Sequence, residues 1–340
     1  WTSIEDSPSG SSFSGTLNGS PGWYRMELRI LNNARVIDTV EVKPLGVGEV
    51  FITAGQSNSA NHGDFPTAPN DPRVSAWGLQ GWQFAADPQP IATGEGGSPW
   101  PALGDLLASR WDVPVGFISV GWGGTSVDQW RPYSAVGLFS RMVQALEEVG
   151  PHGARAVLWH QGESDAASGT SAQHYAAQLQ EVIAASRAIG GWDIPWGIAK
   201  AAFLPGLEAS ALDAITEGQQ SVIDNDPLNF VGANTEDLLG AAWRYDDVHF
   251  NSAGLQEHAT RWSAAIHLPT THEGQDTSGS QEPDNTDTST SPVSNTNEED
   301  CTSTETESSG CHATGNSTLS LAMVLFLLLP WMLKRKIQSS

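Results

Sequence analysis

The chain has 340 residues, enough for one large domain with additions or two ordinary ones, and enough to bury a substantial core. Its 16 Lys+Arg stand against 39 Asp+Glu, a net charge of -23 that argues against a nucleic-acid backbone as partner and suits a neutral ligand such as a sugar. Only two cysteines are present, Cys301 and Cys311, both in a polar tail, so a disulfide framework for the body is excluded, while one bridge between them stays open in an oxidising compartment.

The first residue is Trp1 rather than Met, and the chain reads as processed or cut from something longer. "YRMELRILNNARVIDTVEV" alternates apolar and polar residues on both sides of "NNAR", the pattern of a β-hairpin, and residues 1–47 form an N-terminal β segment. Strand patterns follow at Val50–Ala54, Val115–Val120, Ala156–His160, Trp196–Ala201 and Phe230–Ala233. Helical patterns fall between and after them at Pro101–Trp111, Leu138–Glu148, Ser171–Ala188, Ala209–Asp224 and Ala253–Ala265. This alternation predicts an α/β domain over residues 48–269, with a central parallel sheet covered by helices on both faces. Its ligand crevice is expected beyond the carboxyl ends of the strands.

From Thr271 to Asn316 the composition turns to Ser, Thr, Asp, Glu, Asn and Gly, without Lys or Arg. Such a stretch buries too little surface to offset its chain entropy, so residues 270–317 are expected to be a disordered acidic linker. Residues 318–340 hold the apolar run Leu319–Leu333, followed by Lys334, Arg335 and Lys336. At helical rise the run covers roughly 23 Å against a hydrocarbon core of about 30 Å. The basic cluster fits a cytoplasmic flank.

Chemistry gathers in four segments at or soon after strand ends or just before the last helix: "AGQSNS", "GWGGTSVDQW", "WHQGESDA" and "DDVHFN". The first delivers a lone serine, Ser57, straight out of an apolar strand. The second supplies Gly123 and Gly124, whose backbone N–H groups can approach a ligand without Cβ obstruction. The third carries His160, Gln161, Glu163 and Asp165. In the fourth, Asp246 lies three residues before His249, close enough for a carboxylate to meet an imidazole within one loop turn. Seen alone, Ser57 is an ordinary helix cap and His249 a surface histidine. No HExxH pair, zinc-type Cys/His spacing or calcium loop is present among nine histidines and many carboxylates, so no metal is expected, and the acyl-transfer chemistry implied by the resemblance described next requires no organic cofactor.

Taken in order, "GQSN", "GGTS" followed by Trp130, "QGES" and "DDVHF" resemble the SGNH hydrolase superfamily, and within it the sialate O-acetylesterase and carbohydrate esterase 6 type of acetylesterase. The resemblance covers about Val50 to Ala265 and implies a flavodoxin-like α/β/α sandwich. Gly55-Gln56-Ser57 in place of Gly-Asp-Ser, and Gln161 in place of Asn, depart from the wider superfamily toward this branch. Carried over, the resemblance implies Ser57 as nucleophile and His249 as base, with Asp246 as the orienting acid and Glu163 as supporting or alternative acid. It also implies an oxyanion hole from the N–H groups of Ser57 and Gly124 with the Gln161 amide, and substrate contacts from Gln56, Asn58 and Trp130. The activity implied is removal of O-acetyl groups from carbohydrates such as sialate or xylan through an acetyl-enzyme. The other class left open is a non-catalytic, sugar-binding envelope protein on the same fold. The order Gly310-Cys311, apolar helix, basic end resembles the myxobacterial type of C-terminal sorting tail. It implies export and attachment to membrane or cell envelope, with cleavage near Cys311 or a permanent anchor as the alternatives.

Overall fold

The computed structural model describes residues 1–6, 17 and 19–266. The acidic linker, the apolar run and the sorting motif expected from the sequence lie outside the described residues. Among the described residues no helix is long and apolar enough to cross a membrane.

Two antiparallel strands open the ordered chain, β1 (Gly22–Asn32) and β2 (Arg35–Val47), joined at Asn33 and Ala34, both with positive φ. The main sheet has seven strands: β3 (Glu49–Gly55), β4 (Val74–Gly78), β5 (Gly81–Phe84), β6 (Val115–Ser119), β7 (Ala156–His160), β8 (Trp196–Lys200) and β9 (Asn229–Asn234), in the spatial order β5-β4-β6-β3-β7-β8-β9. All neighbours pair in parallel except β5, which runs antiparallel along β4 at one edge. Leaving aside β4 and β5, the parallel strands run 2-1-3-4-5 in chain order, the flavodoxin-like arrangement.

Buried side chains alternate between the two faces with the period of a strand. Ile52, Ile118, Val157 and Ile198 point into one core, closed by α2 (Phe139–Val149), α4 (Ala172–Gly190) and α5 (Ala209–Asp224) through Met142, Leu179 and Ile215. Phe51, Phe117, Leu158 and Ala199 point into the other, closed by α1 (Trp100–Trp111) and α6 (Ser252–Ala265) through Leu103, Leu107 and Trp262. The α/β/α sandwich predicted from the sequence is therefore present, preceded by the N-terminal hairpin. Two strands and one helix go beyond the sequence pattern: β4, β5 and the five-residue α3 (Glu163–Ala167).

This order puts the reversal of the winding at β3. Strand β6 lies on one side of it and β7 on the other, so the chain leaves their carboxyl ends in diverging directions and opens a crevice there.

Candidate active site

Four loops converge on that crevice. The turn after β3 carries Ser57, which begins a single 3-10 turn of Ser57–Ser59. Entry into this turn depends on Gly55. Its φ is +129°, and a Cβ there would lie 2.0 Å from the carbonyl oxygen of His160 on the neighbouring strand. Only a residue without a side chain permits that approach. The Gln56 N–H then donates to the same carbonyl at 3.0 Å, extending the β3–β7 ladder to the residue before the serine.

After β6 the chain turns through Trp122, Gly123 and Gly124. The Trp122 N–H donates to Gly55 O (2.9 Å) and the Gly123 N–H to Thr93 Oγ1 (2.8 Å), which ties this loop to the serine turn. Gly124 has φ +69° and faces open space. Among the described residues, the backbone N–H groups of Ser57 and Gly124 and the hydroxyl of Ser57 have no hydrogen-bond partner.

The loop before α6 brings Asp246 and His249 together. Asp246 Oδ2 lies 2.7 Å from His249 Nδ1, while its Oδ1 accepts the N–H groups of His249 (2.6 Å) and Val248 (3.0 Å). The carboxylate thus fixes the ring through one oxygen and the loop through the other. Partial burial pushes the Asp246 carboxyl up, but the hydrogen bonds from His249 and Val248 outweigh it and hold the group below its ordinary value. The imidazole packs beside two further rings, His62 (centroids 5.5 Å apart, 25° between planes) and Tyr245 (6.2 Å, 28°). Burial and the neighbouring His249 both depress the pKa of His62.

Ser57, Gly124 and His249 line one pocket of about 440 Å³, together with Gln56, His62, Trp122 and Glu163. No hydrogen bond joins the Ser57 hydroxyl to the imidazole; the two residues line the same cavity.

Glu163 starts α3 and is buried. Its Oε1 accepts from Asn58 Nδ2 at 2.9 Å and lies 3.6 Å from His160 Nε2, contacts that hold the carboxyl below its ordinary value although burial pushes it up. Its recorded partners are therefore Asn58 and His160, whereas Asp246 is the carboxylate on His249.

Three sequence expectations need correction. Trp130 does not reach the pocket: it is fully buried, edge-on to Trp159 at 5.5 Å, with its indole N–H on Thr125 Oγ1. The Gln161 amide nitrogen is turned into the protein, donating to Asp165 Oδ2 (2.5 Å) and Thr125 O (3.0 Å), so it is not aimed at an oxyanion. Asn58 is likewise buried on Glu163 and the Val248 carbonyl rather than presented to a ligand. Trp130 and Asn58 donate to partners inside the protein, and Gln161 does so through its amide nitrogen while its Oε1 is buried without one. Asp165, which accepts from Val127 N, Gln161 and Thr170, holds the second and third loops together. Conversely, His62, Thr93 and Leu204 line the pocket without having been singled out in the sequence. All three sit on long loops, where no periodicity points to them; His62, five residues after Ser57, was the nearest to a signal.

No ion-binding group of three or more His, Cys, Asp or Glu is found among the described residues. What remains is an α/β sandwich that brings Ser57, Ser164 and the carboxylate-bound His249 to one cavity at its topological switch point. The profile of the family described as "Carbohydrate esterase, sialic acid-specific acetylesterase" matches residues 47–267, and the chain belongs to that family. A probable carbohydrate esterase of Arabidopsis thaliana is 28% identical over 166 residues, which cover 41% of this chain and 63% of the plant protein. The chain thus matches less than two thirds of that relative's length. A solved structure of an Arabidopsis thaliana protein superposes with a TM-score of 0.52 at 21% identity, over 64% of this chain and 96% of that one. A carbohydrate acetylesterase of Xanthomonas citri gives a TM-score of 0.49 at 20% identity, over 67% and 58% of the two chains.

Proposed function

We propose that the protein is a serine esterase that removes O-acetyl groups from carbohydrates through an acetyl-enzyme, with Ser57 as nucleophile, His249 as base and Asp246 as the orienting acid. One observation carries the reading: the Asp246-bound imidazole and the unpartnered Ser57 hydroxyl face a single pocket at the switch point of the sheet. Catalytic hydrogen bonds are often long in ligand-free sites and tighten around the substrate, so a bound ester completes the Ser57–His249 contact.

In the first half-reaction Ser57 Oγ attacks the acetyl carbonyl while its proton passes to His249 Nε2. Asp246, on Nδ1, stabilises the resulting imidazolium. The negative charge on the carbonyl oxygen is met by the Ser57 and Gly124 N–H groups, each such donor being worth roughly 3 kcal/mol of barrier. Collapse expels the sugar oxygen, protonated by the imidazolium. Water then repeats the cycle on the acetyl group, with His249 again taking and returning the proton.

The acidic tail, the apolar run and the basic end support display of this domain at a bacterial cell envelope. Mass spectrometry of the mature C-terminus tests this: an intact Ser340 rules out processing. For the activity, acetate release from acetylated glycans by wild type, lost in Ser57→Ala, is the expected result. A folded wild type that releases none favours a sugar-binding protein without turnover.

A further inference from the structure

The long loop after β3 brings a second imidazole to the proposed base. His62 lines the same pocket as Ser57, and its ring lies 5.5 Å from that of His249, centroid to centroid, with 25° between the planes. That is the separation of an offset-stacked pair. The loop is fixed on either side of this residue: the Asn61 N–H donates to Thr93 O and the Gly63 N–H to Gly97 O, both at 2.9 Å.

Two further contacts set the ring in place. The His62 carbonyl accepts from the Tyr245 hydroxyl (3.2 Å), and the Tyr245 N–H donates to the His249 carbonyl (3.0 Å), so the base loop is tied to His62 through backbone as well as through rings. At its other end, His62 Nε2 lies 3.3 Å from Thr93 Oγ1, the atom that accepts from the Gly123 N–H (2.8 Å). A Cβ on Gly123 would come within 2.7 Å of the same nitrogen, so the ring packs directly against that glycine. His62 thus touches both the base and the turn that leads to Gly124.

Such a support matters to His249. Among the described residues its imidazole has one hydrogen bond, to Asp246 through Nδ1, and a single contact leaves the ring free to tilt about it. Misplacing a catalytic group by about 1 Å can cost roughly a hundredfold in rate. Burial, and next the neighbouring His249, hold the His62 pKa below its ordinary value against the opposite pull of Asp246, so a neutral ring faces the imidazolium of the first half-reaction.

We propose that His62 is a positioning residue of this site: on the esterase reading above, its ring, tethered at Thr93, holds the His249 imidazole in line with Ser57 without touching the reacting atoms.

The experiment uses the intact protein with p-nitrophenyl acetate and acetylated xylan as esters. In His62→Ala kcat is expected to fall about tenfold, with KM changed less than about threefold. His62→Phe, which keeps a flat ring without Nε2, recovers most of kcat, whereas His62→Gln, which keeps a hydrogen-bonding group without a ring, does not. The imidazole proton spectrum of the ester-free protein reads the contact without turnover: the His249 ring signals move in His62→Ala and His62→Gln as the neighbouring ring current is lost. A kcat unchanged in folded His62→Ala, a loss expressed in KM alone, rescue by Gln but not by Phe, or His249 signals that stay in place overturns the proposal and leaves the esterase intact. Should His62→Ala fail to fold, the Phe and Gln variants decide. A folded wild type that hydrolyses neither ester removes the esterase reading itself, and this proposal with it.

Discussion

Replacing Asp246 with Ala is the sharpest test of the mechanism. The variant removes the carboxylate 2.7 Å from His249 Nδ1 and with it the charge facing the imidazolium. Two unit charges about 3.5 Å apart attract by roughly 5 kcal/mol at an effective dielectric of 20 and by about 1 kcal/mol in bulk water. The Asp246 side chain is 38% exposed and His249 22%, so water screens part of the interaction and the value falls between these limits. A loss of roughly 2–3 kcal/mol corresponds to a kcat about 30- to 150-fold lower, and a wrong imidazole tautomer adds to it. Glu163→Gln is the comparison. Its Oε1 still accepts from Asn58, and neither recorded contact of the carboxylate is with His249, so kcat is expected to fall less than about tenfold. Initial rates of acetate release from a neutral acetylated glycoside decide between the two. If Asp246→Ala turns over near the wild-type rate while Glu163→Gln loses activity, the acid is Glu163 and the assignment is wrong.

Further outcomes follow from the same contacts. Ser57→Ala is expected to abolish turnover while shifting Tm by less than about 2 °C, since no described group loses a hydrogen bond with its hydroxyl; residual turnover at wild-type rate would place the nucleophile elsewhere. Gly55→Ala puts a Cβ 2.0 Å from the His160 carbonyl and is expected to cost more than about 3 kcal/mol, whereas Gly124→Ala, at φ +69° in open space, costs about 1 kcal/mol. Denaturant titration of the pair checks the order. Glu236 is half-buried with its Oε1 accepting from the N–H groups of Ala202 and Phe203, and desolvation raises its pKa. Since the folded value lies above the unfolded one, the ionised group costs stability above the folded pKa, and that cost vanishes below the unfolded pKa of about 4.3. Glu236→Gln is therefore expected to match or exceed wild type in Tm at pH 7, and the advantage should shrink as pH falls toward 4. An advantage that grows in acid contradicts the sign.

The alternation of buried apolar runs with amphipathic helices made the five main parallel strands and their helices legible in the sequence, because two-sided burial imposes a pattern on both kinds of element. Strands β4 and β5 left no such mark. They are five and four residues long at the sheet edge and follow a long loop, and β5 exposes Trp82 and Phe84. In the candidate site, the Asp246–His249 pair was readable because three residues of spacing confine the two side chains to one loop. Trp130, Asn58 and Gln161 were not placed by their motifs, since neighbours distant in sequence decide which polar group is turned inward: Asp165 draws the Gln161 amide away from the cavity, and Glu163 draws Asn58. His62 and Thr93 depend wholly on the long loop after β3, whose path follows from packing rather than from periodicity.

The serine leaves the first strand of the main sheet, while its proposed base and acid precede the last helix. During synthesis the hydroxyl therefore emerges long before its proposed base and acid, and on that reading a nascent chain held short of α6 lacks the Asp246–His249 pair. Under the proposed mechanism turnover would report that the loop before α6 has docked, and a protease cut in the loop after β9 would separate the serine from its base while leaving the strands laid down.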